Sequence, residues 1–229
     1  MKAAAESSIL EGGLQFPPCC HPFKEGRLVI ERGPATEDEM VLAFLQAEIR
    51  SSRYGSIIQR TLAQLGWKNS LIENPNLADE VENAQRRELL SYRGYLRREG
   101  LFTRFPLDVL WRRVDLEPTD LQVIRYIKDT VTATPNWTNL SNGTRLVCEG
   151  ARSVRQQSSN PLFQQIVAIA EEIRNGVRFP ALIAAQHDKG NLVLIEGHSR
   201  ATAYVLEGYG GTVEAFVGFS LSMKDWPFY

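Results

Sequence analysis

The chain has 229 residues, of which 43% are hydrophobic, and its formal net charge is −1 at neutral pH. This length fits one large domain or two small ones, with enough apolar residues for a proper core. The balanced charge argues against a protein whose whole surface binds nucleic acid, although it leaves room for a local basic patch. No apolar run approaches membrane-spanning length and the N-terminus lacks an apolar targeting core, so we expect a cytoplasmic protein with no membrane partner.

The three cysteines do not have the spacing of a disulfide framework, which favours a reducing compartment. Cys19 and Cys20 are adjacent and precede His21, whereas the remaining cysteine and histidines are scattered along the chain. Structural zinc sites normally show paired ligands at short spacing, so we predict no metal site here. Residues 1–22 are small, polar and proline-bearing, and we expect them to be loosely ordered.

Residues 1–105 are predicted to form a mainly helical N-terminal region. The apolar run at 27–30 is typical of a short strand, and Thr36 with the acids that follow it predicts a helix start. A second helix is expected over 56–65, where Gly66 ends it, and one or two helices over 78–101. The apolar residues of the first helix fall on one face: Met40, Val41, Phe44, Leu45 and Ile49.

The segment from Arg86 to Arg113 is strongly basic, since eight arginines stand against Glu88, Glu99 and Asp108, a local net charge of +5. Aromatic residues are interleaved with these arginines. The pattern fits a face that binds DNA or an acidic protein partner. It also fits a solvated helix face whose aromatics are buried and whose arginines pair with acids elsewhere, and the neutral charge of the whole chain favours this second interpretation.

Residues 106–229 are predicted to form an α+β domain, a small mixed β-sheet with packed helices, with the domain boundary at Phe105 and Pro106. Strands are expected over 109–116, 179–185, 191–195 and 213–219, and helices after Glu117 and over 161–174. Residues 130–155 are predicted to be loops around a short element. Three acids in this part are candidates for a base or a metal ligand, namely Asp115, Glu117 and Glu149.

The most informative stretch is 192–206, which predicts a buried strand that stops at Gly197 and turns directly into a helix. The free N–H groups at such a helix start favour an anion, most often a phosphate. Gly197 allows close approach, Ser199 offers a hydroxyl, Arg200 offers a planar charged fork, and His198 is the side chain expected to titrate near neutral pH. The alternative is an ordinary strand-to-helix corner with a surface arginine.

Glu196-Gly197-His198-Ser199-Arg200, followed by an alanine-rich helix, resembles the signature of the ParB N-terminal/sulfiredoxin-like superfamily, also described as the ParB-like nuclease domain. The flanking helix, hairpin and closing strand match in order, and the resemblance covers about 60 residues of the C-terminal part only. It implies that Gly197, His198, Ser199 and Arg200 hold nucleotide phosphates, with Glu196 and His198 as catalytic residues.

This chain departs from each branch of that superfamily. His198 stands where sulfiredoxins have their reactive cysteine, so repair of sulfinic acids is excluded. ParB partition proteins have Gly-Glu-Arg-Arg at the turn, and free-serine kinases have Asp-Gly-His-His-Arg, which is the nearest match. The run from Glu82 to Arg86 also resembles a ParB motif, but it lies before the turn instead of after it, which favours coincidence.

Together with the resemblance, these observations predict a nucleotide-binding protein, with ATP, ADP or CTP as candidate ligands and Mg²⁺ as a candidate ion. Phosphotransferase and nucleotidase are the candidate activities, and whether phosphate is transferred, hydrolysed or only bound stays open. The rival hypothesis is a non-enzymatic regulatory or DNA-associated module, in which the turn is structural or senses a nucleotide and the Arg86–Arg113 segment binds the partner.

Overall fold

The computed structural model describes residues 29–128 and 136–229. The predictions for residues 1–22, including the Cys19–His21 cluster, and for Arg27 and Leu28 lie outside the described residues. From residue 29 to residue 105 the structure shows one strand and four α-helices: β1 Ile30–Pro34, α1 Glu37–Glu48, α2 Gly55–Leu65, α3 Ser70–Glu73 and α4 Glu80–Leu89. Two 3₁₀ helices follow, at Leu90–Arg93 and Gly100–Phe102.

The described residues of the second part, 106–128 and 136–229, form four strands and five α-helices. They are β2 Leu110–Leu116, α5 Pro118–Val123, α6 Trp137–Leu140, α7 Val147–Gln156, α8 Gln164–Arg174, β3 Leu182–Gln186, β4 Leu192–Glu196, α9 His198–Glu207 and β5 Val213–Phe219. Further 3₁₀ turns cover Pro161–Phe163 and Met223–Asp225. Within the described ranges, no helix combines the length and the apolar character needed to cross a bilayer.

The five strands form one mixed sheet in the order β1-β2-β5-β3-β4. Only the β3–β5 pair is parallel, and the other neighbours are antiparallel. The outer edge of β4 is covered by the segment after α5, where the Arg125 N–H donates to the Leu192 carbonyl and the Leu194 N–H donates to the Arg125 carbonyl, both at 2.8 Å. The predicted α+β class with a small mixed sheet is therefore confirmed.

Helices cover both faces of the sheet, because the strand side chains alternate between two apolar cores. Ile183 and Ala185 of β3 face the core that contains α1 to α4, whereas Leu182 and Ala184 face the core that contains α5 and α7 to α9. The N-terminal region also contributes β1 to the sheet. Residues on both sides of the predicted boundary at Phe105 and Pro106 therefore contribute to the core that contains α1 to α4.

The observed ends of the helices and strands agree with the predicted bounds at some positions and differ at others. Thr36 forms a full capping box with Glu39 at the start of α1, and Gly66 ends α2 in the left-handed region with φ of 68°. The helix after Glu117 is shorter than the apolar spacing indicates, because Ile124 is extended and leads into the segment that pairs with β4. The first strand covers Ile30–Pro34, later than predicted, since it pairs with β2.

The Arg86–Arg113 segment is ion-paired and is not an open basic face. Its aromatic residues Tyr95, Phe102, Phe105 and Trp111 are buried in the core. The pairs are Arg86–Glu82, Arg87–Asp38, Arg93–Glu48, Arg97–Glu88, Arg112–Glu31 and Arg113 with Glu39 and Glu214. Arg98 donates to the Phe105 carbonyl. Of the eight arginines, only Arg104 makes no ion pair or side-chain hydrogen bond to another described residue.

The ParB-like run from Glu82 to Arg86 has a structural role in α4. The Arg86 side chain is fully buried and donates to the Leu71 carbonyl at 3.0 Å, the Asn76 carbonyl at 3.0 Å and the Asn83 side chain at 2.6 Å. Its guanidinium thereby fixes the loop between α3 and α4 onto the helix. Nothing in this arrangement links the run to the turn before α9.

We expect Arg86→Ala to lower the free energy of unfolding by about 3–5 kcal/mol, because it removes a buried cation and leaves carbonyls and Glu82 unsatisfied. The matched control is Arg97→Ala, since Arg97 is 62% exposed in a 3.7 Å ion pair and should cost at most about 0.5 kcal/mol. Urea unfolding of both variants measures the difference. Equal effects of the two substitutions would contradict the structural role.

Candidate functional site

The turn between β4 and α9, residues 196–200, is hereafter the α9 turn. Gly197 adopts φ of 99° and ψ of 20°, a left-handed conformation that favours glycine. A Cβ at this position would lie 2.5 Å from Leu182 Cδ2. The glycine therefore serves both the turn conformation and the close approach to β3, and the strand–glycine–helix arrangement predicted from the sequence is confirmed.

The N-terminus of α9 offers free hydrogen-bond donors. The helix has 10 residues and no side-chain cap, and its first internal hydrogen bond runs from the Ala201 N–H to the Gly197 carbonyl at 2.8 Å. The N–H groups of His198, Ser199 and Arg200 have no acceptor within the described part of the chain. Unsatisfied donors at the positive end of a helix are suited to an anion.

Arg200 does not present its guanidinium to solvent as the sequence led us to expect. Its side chain is 8% exposed, and it donates to the carbonyls of Pro180 and of Ala181, the latter at 3.1 Å, and to Glu196 Oε1 at 3.2 Å. These bonds join the end of β4 to the segment that enters β3. Arg200 thus holds the α9 turn in place through protein acceptors, and its contact with phosphate stays a prediction.

His198 lies in an aromatic stack at the start of α9. Its ring centroid is 5.2 Å from that of Trp137 and 6.0 Å from that of Tyr126, with interplanar angles of 23° and 16°. The Tyr126 hydroxyl is hydrogen-bonded to Thr202 Oγ1 at 2.7 Å, which fixes the stack to α9. His198 Nε2 is buried and makes no hydrogen bond to the described residues.

The electrostatic surroundings of His198 are strongly positive. Burial, and then the charges of Arg93, Arg200, Arg145 and Arg53, lower the pKa of His198 to about 3. The imidazole is therefore neutral at physiological pH, which corrects the expectation that it titrates near pH 7. A neutral ring of such low basicity is suited to a hydrogen bond with a ligand but is a poor catalytic acid or base.

Two of these arginines come from the helical N-terminal region and pack on the same ring. The guanidinium carbon of Arg93 lies 4.2 Å from the Tyr54 ring centroid, and that of Arg53 lies 4.9 Å from it. Arg93 also donates to the Tyr54 hydroxyl. The exposed Arg53 makes no ion pair with a described carboxylate. Arg53 and Arg93, whose charges act on His198, therefore come from the N-terminal part of the chain and not from the part that contains α9.

Glu48, at the end of α1, is the acid that the sequence reasoning missed. Its side chain is 2% exposed, accepts a hydrogen bond from the Tyr92 hydroxyl and lies 3.3 Å from Arg93 Nε. Burial, and then the charge of Glu196, raise the pKa of Glu48 to about 8. A signal was present in the sequence, because Glu48 follows Phe44 and Leu45 at helical spacing and so occupies the buried face.

The other polar residues suggested by the sequence are engaged elsewhere. Asp115 pairs with Arg32, Glu117 caps α5 together with Asp120, and Glu149 pairs with Arg152. None of these three acids contacts the α9 turn. Arg145 donates to the carbonyls of Tyr126, Phe228 and Tyr229 at 2.9–3.2 Å, and so combines a structural role with its effect on His198.

The described residues contain no group of three or more His, Cys, Asp or Glu side chains arranged to hold a metal ion. Glu196, which lies in the α9 turn, and Glu48, on which its charge acts, are already partnered. Glu196 accepts from Arg200, while Glu48 accepts from Tyr92 and faces Arg93. Any divalent ion at this place would therefore need ligands from a bound molecule.

We expect His198 to stay neutral down to about pH 5, because protonation would place a buried cation among arginines. Its ring nitrogens, followed by heteronuclear NMR between about pH 5 and 8, should show no change of protonation state. A His198→Asn variant assigns the signals. An imidazolium signal appearing at about pH 6 would contradict the described environment.

We expect Glu48→Gln to change how stability depends on pH. A raised pKa means that folded Glu48 holds its proton more tightly than unfolded Glu48, so its contribution to stability is present below about pH 4.5 and is lost as pH rises to about 8. The free energy of unfolding of the variant should therefore improve relative to wild type by on the order of 3 kcal/mol across this window. Urea titrations at several pH values measure it, and a constant difference would refute the raised pKa.

Comparisons of the chain with protein-family models, with curated proteins and with solved structures gave no significant match.

Proposed function

We propose that this protein binds a nucleotide through its phosphate groups at the α9 turn. The observation that carries the proposal is the uncapped start of α9, where three N–H groups have no acceptor among the described residues and where Nε2 of His198, the first residue of the helix, makes no hydrogen bond to them. A phosphate oxygen accepts hydrogen bonds from backbone N–H groups at a helix start, and it would also accept from a neutral imidazole protonated at Nε2.

The charges around the turn support an anionic ligand. Four arginines act on His198, while Glu48 is mostly protonated at neutral pH and Glu196 is paired with Arg200. This excess of positive charge is local, since the whole chain carries a net charge of −1. A bound phosphate group would offset this positive charge. Of the four arginines, Arg53 and Arg93 have the fewest bonds to protein acceptors and are therefore best placed to bind it.

The superfamily resemblance supports a nucleotide over a simple anion, and ATP, ADP and CTP are the candidates it implies. Gly197, His198 and Ser199 would contact phosphate. Arg200 would instead stabilise the turn through its hydrogen bonds to the Pro180 and Ala181 carbonyls and to Glu196. Mg²⁺ would enter with the nucleotide, because this ion is commonly held by substrate phosphates and one or two carboxylates. A cytoplasmic location belongs to the same proposal, since nucleotides are abundant in that compartment.

The structure offers less support for catalysis by His198 and Glu196, because the first is neutral with a lowered pKa and the second is paired with Arg200. A phosphotransferase or nucleotidase activity therefore stays a prediction. The DNA-associated alternative also stays a prediction, and the ion pairs of the Arg86–Arg113 segment do not favour it.

Isothermal titration calorimetry with ATP, ADP, CTP and inorganic phosphate, with and without Mg²⁺, tests the proposal. We expect at least one nucleotide to bind, and we expect Arg53→Gln to weaken its binding about fivefold, as for the loss of one partly exposed charge contact. The control is Arg60→Gln, because Arg60 is an exposed arginine of α2 that is not among the charges that lower the pKa of His198. Binding should be unchanged in this control.

The outcome that would overturn the proposal is the absence of binding for all four ligands. Equal effects of Arg53→Gln and Arg60→Gln would also contradict it, since a site elsewhere or a diffuse charge effect would then explain the binding. Salt-dependent DNA binding that is lost in Arg97→Gln together with Arg98→Gln would favour the rival instead.

A further inference from the structure

We propose that Glu48 is the positioning residue of this site: it holds Arg93 beside the α9 turn, and it takes up a proton from solvent when a phosphate draws Arg93 away. This inference rests on the proposed function. It concerns α1 and the 3₁₀ helix at Leu90–Arg93, which lie outside the part of the chain that resembles the ParB N-terminal/sulfiredoxin-like superfamily.

The contacts of Arg93 are suited to exchange. Its Nε lies 3.3 Å from Glu48 Oε1 but lacks hydrogen-bond geometry, and Nε has no other partner within the described residues. Its remaining contacts are the Tyr54 hydroxyl and the faces of the Tyr54 and Phe44 rings. A guanidinium held by ring faces and an imperfect ion pair can form a bidentate contact with phosphate at little cost.

Glu48 itself cannot move far. It is 2% exposed, its Oε2 accepts from the Tyr92 hydroxyl, and it lies at the C-terminal end of a helix whose buried face forms the core. It therefore acts as a fixed support for Arg93 and not as a group that swings toward the ligand.

The charges that act on Glu48 come from both halves of the chain. Burial and Glu196 of β4 oppose its ionisation, while three arginines favour it, namely Arg93 in its 3₁₀ helix, Arg53 before α2 and Arg200 of α9. The balance leaves the pKa of Glu48 near 8, so that part of the population is ionised in slightly alkaline solution.

A bound phosphate changes this balance in one direction. It adds negative charge near Glu48, and it shares the positive charge of Arg93, so both effects favour the protonated carboxyl. In this step the ionised Glu48 carboxylate gains one proton from the buffer and Arg93 keeps its positive charge. The Arg93 guanidinium then binds the phosphate. Binding should then weaken as pH rises above about 8, because the proton becomes harder to obtain.

Calorimetry at about pH 8 in two buffers of different ionisation enthalpy, Tris and HEPES, measures the proton uptake directly. The probe is whichever of ATP, ADP and CTP binds most tightly, since its terminal phosphate is almost fully ionised at this pH and releases few protons of its own. We expect uptake of about half a proton per bound nucleotide, and an affinity that falls roughly threefold to tenfold between about pH 8 and 9.

Glu48→Gln should remove the proton uptake and flatten the pH dependence to within about 1.5-fold, while it still binds the nucleotide. The control is Glu172→Gln, because Glu172 is an exposed acid on α8, in the opposite helical layer, and its substitution should leave the uptake unchanged. A purely structural Glu48 would alter affinity or stability in the variant but would not change the number of protons exchanged.

The wild-type titrations test the proposed role of Glu48 even if Glu48→Gln fails to fold. Nucleotide binding with no dependence on the buffer, and with constant affinity over this pH range, would overturn the role of Glu48 while leaving the proposed function intact. Uptake that persists in Glu48→Gln would assign the proton to another group and would likewise overturn it. The absence of all nucleotide binding would overturn both proposals.

Discussion

The hydrogen bonds of the Arg200 guanidinium are the interaction on which the site depends. They connect the Pro180 and Ala181 carbonyls, just before β3, to Glu196 at the end of β4. The planar fork reaches both carbonyls and the carboxylate at once, which the single ammonium of lysine would not reproduce. This contact keeps the start of α9, which includes His198, at one place relative to the sheet, where the charges of Arg53 and Arg93 act on His198.

The site is composite because the sheet lies between two layers of helices. The α9 turn belongs to the C-terminal part of the chain, whereas Glu48, Arg53 and Arg93 come from the N-terminal part, whose helices pack on the other face of the sheet. Burying several charges together is unfavourable unless some of them are neutralised. His198 meets this constraint because a lowered pKa keeps it neutral. Glu48 meets it in part, because its pKa of about 8 leaves it mostly protonated at neutral pH and only its ionised fraction pairs with Arg93.

Local signals in the sequence predicted the elements that local physics decides. The strand at Val213–Phe219, the Thr36 cap and the glycine turn before α9 all follow from hydrophobic period, capping chemistry and backbone freedom. The role of Arg200 could not be predicted in this way, because its acceptors lie about 20 residues earlier in the chain and become neighbours only when β3 and β4 pair.

The same limit applies to Glu48 and to the basic segment. Glu48 and Glu196 are distant in sequence, and only the packing of α1 against the sheet makes them interact. The arginines between Arg86 and Arg113 look like a cationic face when counted along the chain, but their partners Asp38, Glu39 and Glu31 precede them by dozens of residues. Charge patterns in sequence therefore overstate the charge that remains available at the surface.

The two edges of the sheet determine how readily a strand of another molecule could pair with it. The backbone of Arg125 occupies the hydrogen-bonding groups of β4 that another chain would need for pairing. On the opposite side, β1 is irregular between Glu31 and Gly33, carries two charged residues and ends at Pro34. Such strands are poor templates for the growth of an intermolecular sheet.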